Sequence, residues 1–90
     1  MTIREAIKNN AKATEEIALY EKENNCLEHD AILHLWEYGH VWFYTIDGIV
    51  IRPLVNGTFL IQDERVKTTI SINDEVILNG YVVPVYVYVY

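Results

Sequence analysis

The sequence predicts an α+β fold: an N-terminal helix over residues 2–22 packed on an antiparallel β-meander of about five to seven strands. Three observations predict it. Small and apolar residues recur at three- and four-residue steps through the first quarter of the chain. From Val41 onward, β-branched and aromatic residues dominate. Asp47-Gly48, Asn56-Gly57 and Asn79-Gly80 then punctuate the strand-like runs, and such pairs are strong hairpin signals because both turn residues accept positive φ. No interval between these runs is long enough for a βαβ crossover. The sheet is therefore expected to be a meander, strongly curved or rolled into a small barrel. The 90 residues make one domain, with a β-rich region from about 31 to 90.

The helix is justified by its start and its stripe. Thr2 can cap it, and Glu5 stands at the capping-box spacing. Ile3, Ala6, Ile7, Ala11, Thr14, Ile17 and Ala18 share one face, and Asn24-Asn25 breaks the pattern. Its charges oppose the helix dipole: Arg4, Lys8 and Lys12 come first, and Glu15, Glu16, Glu21 and Glu23 come last. Packing must therefore hold it. The basic stripe Arg4–Lys8–Lys12 reads as an ordinary solvated face.

Residues 26–40, CLEHDAILHLWEYGH, carry two patterns. As a helix, the segment would be capped by Asn25 with Glu28 and stopped by Gly39. As a strand, AILHLWEY would run into a tight turn. With no breaker before the strand-rich block, the balance falls on a strand over 31–37.

The strands then follow as VWFYTI, IVIRPLV, TFLIQ, VKTTISI, EVIL and the terminal YVVPVYVYVY. Asp63-Glu64-Arg65 supplies a looser turn, Asn73-Asp74 another, and Pro53 removes a ladder donor and bends its strand. The terminal run has no charge and would be an aggregation hazard if left bare. Alternation sends Tyr81, Val83, Val85, Val87 and Val89 one way, and Val82, Pro84, Tyr86, Tyr88 and Tyr90 the other. The valines make the core face, contributing about 6 kcal/mol before chain entropy is set against them. The tyrosines make an aromatic shelf, and the commonest arrangement for this class lays the helix across it. The run is longer than its hairpin partner EVIL. Its far half needs an earlier strand or a second chain, which predicts homodimerisation through the C-terminal strand.

Composition bounds the function. The formal net charge is -6 and the pI about 4.8, which disfavours nucleic acid and favours a cationic protein partner. No apolar run spans a membrane, and MTIREAIKNN has no apolar core of signal-peptide length. The single Cys26 rules out an internal disulfide and suits a reducing compartment, so the expected location is cytoplasmic. No glycine-rich phosphate loop or cofactor motif is present, so no cofactor is expected.

These features predict a small acidic, non-enzymatic interaction module. Phage-type inhibitors of a host defence protein belong to that class. The expected partner-binding residues are Tyr86, Tyr88, Tyr90, Trp42 and Tyr44, because aromatic patches mark interfaces. A second reading is a small-molecule or nucleotide binder stacking its ligand on the aromatic sheet face. A third is a metal-dependent enzyme around Cys26–His40. There, Cys26 and His29 form a CxxH pair, and Asp30, His34 and Glu37 would share a face if helical. No second Cys or His pair completes that half-motif.

Overall fold

The computed structural model describes residues 1–63 and 66–90, with the backbone alone of Val66 and Lys67. Three helices come first: α1 (Ile3–Lys8), α2 (Ala11–Asn24) and α3 (Glu28–Glu37). Among the described residues seven strands follow: β1 (Val41–Tyr44), β2 (Val50–Pro53), β3 (Phe59–Asp63), β4 (Val66–Ile70), β5 (Ile77–Leu78), β6 (Tyr81–Val82) and β7 (Tyr86–Val89). The helices pack on one antiparallel sheet of order β4-β3-β2-β1-β7, and β5 and β6 form a separate hairpin. The α+β class is as the sequence predicts. The sheet has two edges, β4 and β7, so it is not closed into a barrel.

The capping box forms as predicted: the Thr2 hydroxyl accepts from the Glu5 N–H, and the Glu5 carboxylate accepts from the Thr2 N–H. The single helix over 2–22 does not form. Asn9 and Asn10 divide it, and the Asn10 side chain caps α2 by accepting from the Ala13 N–H at 3.0 Å. Asparagine competes for backbone hydrogen bonds and so favours a cap over a helix interior. The Thr14 hydroxyl braces the junction by donating to the Ile7 carbonyl at 2.7 Å. The division also relieves the charge conflict in part, since α1 has Glu5 in its first turn and Lys8 in its last. Arg4 leaves the basic stripe altogether, gripping Glu28 with two hydrogen bonds of 2.8 and 3.2 Å. That carboxylate raises the Arg4 pKa further above its ordinary value.

The strand expected over 31–37 is corrected to helix α3. Ala31, Ile32, Leu33 and Leu35 are all buried there, so apolar residues occupy more than one face. A short apolar run of this kind fits a buried strand as well as a helix, which is why the two patterns competed. Asn25 does not cap it. Asn25 ends α2 in the left-handed conformation (φ 49°), and Leu27 holds the N-cap position of α3 without a side-chain bond. Gly39 (φ 71°) does stop α3, and β1 begins two residues later. The β-rich region therefore begins at Val41 rather than near residue 31.

Two of the predicted turns share one construction. The Thr45 N–H donates to Ile49, the Leu54 N–H donates to Thr58, and in each three-residue loop the glycine returns a bond to the first residue. Gly48 (φ 80°) and Gly57 (φ 90°) take the left-handed position, while Asp47 and Asn56 do not. This is a turn followed by a glycine bulge, not the two-residue turn read from the sequence. Asn79-Gly80 is the pair in which both residues have positive φ. It joins β5 to β6 with Leu78 opposite Tyr81. The Asp63-Glu64-Arg65 turn falls largely outside the described residues.

The core lies between the helices and one face of the sheet. Ile3, Ile7, Ile17, Ile32 and Leu35 meet Val41, Phe43, Ile51, Phe59, Ile61 and Val85. Phe43 and Phe59 pack edge to face at 5.8 Å. In β1, β2, β3 and β7 the alternate residues point away from the helices, as a period of two requires.

Candidate functional site

The terminal run splits its faces as alternation predicts. Val85 is buried and Val83, Val87 and Val89 are half-buried, while Tyr86, Tyr88 and Tyr90 are exposed. Tyr81, grouped with the valines, is exposed on the short hairpin. The strand is interrupted around Pro84, between β6 and β7.

The helices do not lie across the tyrosines. They pack on the valine side, because that face has the larger apolar area to remove from water. The other face of the sheet is left uncovered.

The far half of the run also has its partner within the chain. β7 pairs with β1 in the register Val41↔Val89, Trp42↔Tyr88, Phe43↔Val87 and Tyr44↔Tyr86. This register draws four predicted residues together on the uncovered face: Trp42 beside Tyr88, and Tyr44 beside Tyr86 with ring centroids 6.5 Å apart. Tyr90 follows β7, donates its N–H to the His40 carbonyl and stacks on Tyr88 at 4.7 Å. Trp42, Tyr86 and Tyr88 remain 36%, 41% and 48% exposed, and Tyr44 is half-buried.

Sequence reasoning missed one corner of this face. Trp36, near the end of α3, packs edge-on against Trp42 with centroids 6.1 Å apart. Arg52 of β2 lies over the Trp36 ring, 5.1 Å from its centroid, in cation–π range. The Trp42 indole N–H is satisfied by the Gly39 carbonyl at 3.2 Å. The Trp36 indole N–H is buried and has no acceptor among the described residues. The signal for Arg52 was present in the strand IVIRPLV, where it is the one charge in an apolar run.

The open-face positions of the sheet carry no Asp or Glu, although the chain has 13 acids. Eight of the acids sit on the three helices instead. The helical layer is therefore acidic, while the open-face strand positions carry no Asp or Glu; Glu37 of α3 stands beside the Trp36 corner.

The third sequence reading concerns the segment Cys26–His40. Among the described residues, no group of three or more His, Cys, Asp or Glu is placed to hold a metal ion. The helical spacing of Asp30, His34 and Glu37 is real, but the histidines are engaged elsewhere. His34 Nδ1 shares a hydrogen bond with the Tyr20 hydroxyl at 3.1 Å. His29 Nε2 bonds the Leu54 carbonyl, and its ring packs edge-on against Phe59. Asp30 is exposed, and Cys26 is half-buried against the core with a free thiol. Desolvation raises the Tyr20 phenol above its ordinary pKa, and hydrogen bonding to Tyr38 adds to the shift.

No helix among the described residues is long and apolar enough to cross a membrane. No protein-family model matches this chain, and neither a curated protein nor a solved structure matches it.

Proposed function

We propose that this protein is a non-enzymatic binding module whose contact surface is the uncovered sheet face around Trp42, Tyr44, Tyr86 and Tyr88. One observation carries the reading: the helices cover a single face, and the other presents these rings side by side, partly exposed, on strand positions that carry no Asp or Glu. Tryptophan, tyrosine and arginine are the residues that dominate binding energy at interfaces. Two side chains of the catalytic alternative make bonds within the fold, His29 to Leu54 and His34 to Tyr20.

The partner is a protein. The net charge of -6 steers one with a basic surface toward the molecule, and burial of the rings holds it there. Small size and acidity fit an inhibitor or adaptor, including a phage-type inhibitor of a host defence protein. The free Cys26 fits a reducing, cytoplasmic setting. The net charge of -6 disfavours a phosphate backbone as the partner. Edge-paired homodimerisation has less support. β1 already pairs with β7, and Asn10 donates to the Val87 carbonyl on the outer side of β7.

A quantitative pull-down from the native host tests the reading. It compares wild type, Tyr86→Ser/Tyr88→Ser, and a helical-face control, Glu15→Gln/Glu23→Gln. The expected result is a partner lost with the tyrosine pair, kept with the glutamate pair and retained at high salt. A partner that tolerates loss of both tyrosines but leaves with the glutamates would move the interface to the acidic layer.

The groove of about 300 Å³ beside Trp36 and Arg52 favours one second reading, a small ligand stacked on that corner. A thermal-shift panel of nucleotides and metabolites separates the two.

A further inference from the structure

We infer that the corner formed by Trp36, Trp42 and Arg52 receives a carboxylate side chain from the protein segment that docks on the sheet face. This rests on the binding reading above and specifies the chemistry of the partner. The corner holds a cation that no side chain among the described residues neutralises. Arg52 is exposed beside an uncovered aromatic face, with its guanidinium over the Trp36 ring. Leu60 stands directly across from it on β3, and continuing the β1–β2 register places Trp42 across from it on the other side. Among the described residues no carboxylate lies within ion-pair distance of Arg52. The Trp36 N–H beneath it is already buried without an acceptor among the described residues, so Arg52 is the donor that a partner can reach.

Covering this face with an apolar partner would strand a charged group and its donors away from water. That is strongly unfavourable unless the partner brings an anion. A carboxylate matches the planar guanidinium fork, and the surrounding rings exclude the water that would otherwise screen the pair.

The groove at this corner is lined by Trp36, Glu37, Arg52, Leu54, Val55 and Asn56 among others, so it offers an apolar wall next to the cation. Val55 is 84% exposed at its rim. Glu37 is the opposing charge. It lines the same groove, forms no ion pair with Arg52, and repels an incoming acid. The long-range field of the protein and this local contact therefore have opposite signs. The acidic helical layer sets which partners approach, and Arg52 sets where an acidic side chain of the partner comes to rest.

The test uses the full chain and a displayed library of random twelve-residue peptides. Enriched peptides are synthesised and titrated calorimetrically into wild type, Arg52→Gln and Glu37→Gln, with melting curves to verify that each variant is folded. The expected peptides carry an Asp or Glu at a fixed position among apolar or aromatic residues. Arg52→Gln should weaken them about 10- to 100-fold, the span of a charge-assisted hydrogen bond. Glu37→Gln should tighten them a few-fold. Replacing the peptide acid by its amide should erase the difference between wild type and Arg52→Gln, as a double-mutant cycle requires. In proton–nitrogen spectra the Trp36 indole signal should shift, with assignment from Trp42→Phe.

Peptides that lack an acid but still lose affinity with Tyr86→Ser/Tyr88→Ser would overturn the carboxylate inference and leave the sheet-face reading standing. Peptides indifferent to both sets of substitutions, or no enrichment at all, would overturn both. Concentration-dependent dimerisation through the same rings would assign the face to a second copy and also refute the inference.

Discussion

Asn10 performs two separable tasks, and substitution can resolve them. Its side-chain oxygen accepts from the Ala13 N–H and starts α2, while its side-chain nitrogen donates to the Val87 carbonyl at 3.0 Å on the outer side of β7. Asn10→Ala removes both. Loss of an N-cap costs about 1 kcal/mol, and loss of the second bond costs about 1 kcal/mol more. The sum of about 2 kcal/mol corresponds to a fall in Tm of about 8–16 °C for a domain of this size. Asn10→Asp keeps the cap and gains a few tenths of a kcal/mol from the helix dipole. It also removes the donor to Val87 and sets a carboxylate against a carbonyl, so it should lose about 1 kcal/mol net. Urea titration gives the free energies, and sedimentation at several concentrations follows the uncovered edge. The expected order of stability is wild type, then Asn10→Asp, then Asn10→Ala. Self-association should rise in the variants, because a bare strand edge recruits another strand. An Asn10→Asp variant as stable as wild type would show that the bond to β7 contributes nothing. An Asn10→Ala variant within about 0.5 kcal/mol of wild type would show that the junction is held by other groups.

Two further outcomes follow from the core and the helix pair. Phe43→Ala should cost about 3–5 kcal/mol, since Phe43 is fully buried in contact with Phe59, and the loss is measurable by urea titration. Tyr20→Phe should change the alkaline limb of stability. The raised phenol keeps its proton in the folded state above pH ~10, where the unfolded chain has begun to ionise, so the folded state binds more protons and stability falls with rising pH. Below that range the group contributes no slope. Denaturation from pH 8 to 11 should show a shallower decline in Tyr20→Phe than in wild type, and parallel curves would remove Tyr20 as the source.

The parts of the fold legible in the sequence are those governed by neighbouring residues. The Thr2–Glu5 box, the glycine turns and the valine–tyrosine alternation depend on short spacings, and each appears in the structure. The Asn9-Asn10 division was equally local, but an uninterrupted apolar stripe across it masked the signal. Helix α3 was half legible: Asp30, His34 and Glu37 keep a helical spacing, but the nearly continuous apolar run Ala31, Ile32, Leu33 and Leu35 fits a strand as well. Which side of the tyrosine strand the helices would cover depends on packing across the whole molecule. The same is true of the Trp36–Arg52 corner, whose residues come from α3 and β2 and meet only when the two layers dock.

The β1–β7 ladder joins segments close to half the chain apart, whereas β1 through β4 connect by short loops. Closing the longer loop costs more chain entropy and is slow, so the meander should assemble early and β7 should dock late. Until it docks, β1 is a free border carrying Trp42 and Tyr44, and the incoming segment is a sticky ribbon of valine and tyrosine. Two chains caught at that stage can exchange their final strands and trap each other. Crowded synthesis or rapid refolding should therefore yield interlocked pairs, while slow, dilute refolding lets each molecule complete its own sheet.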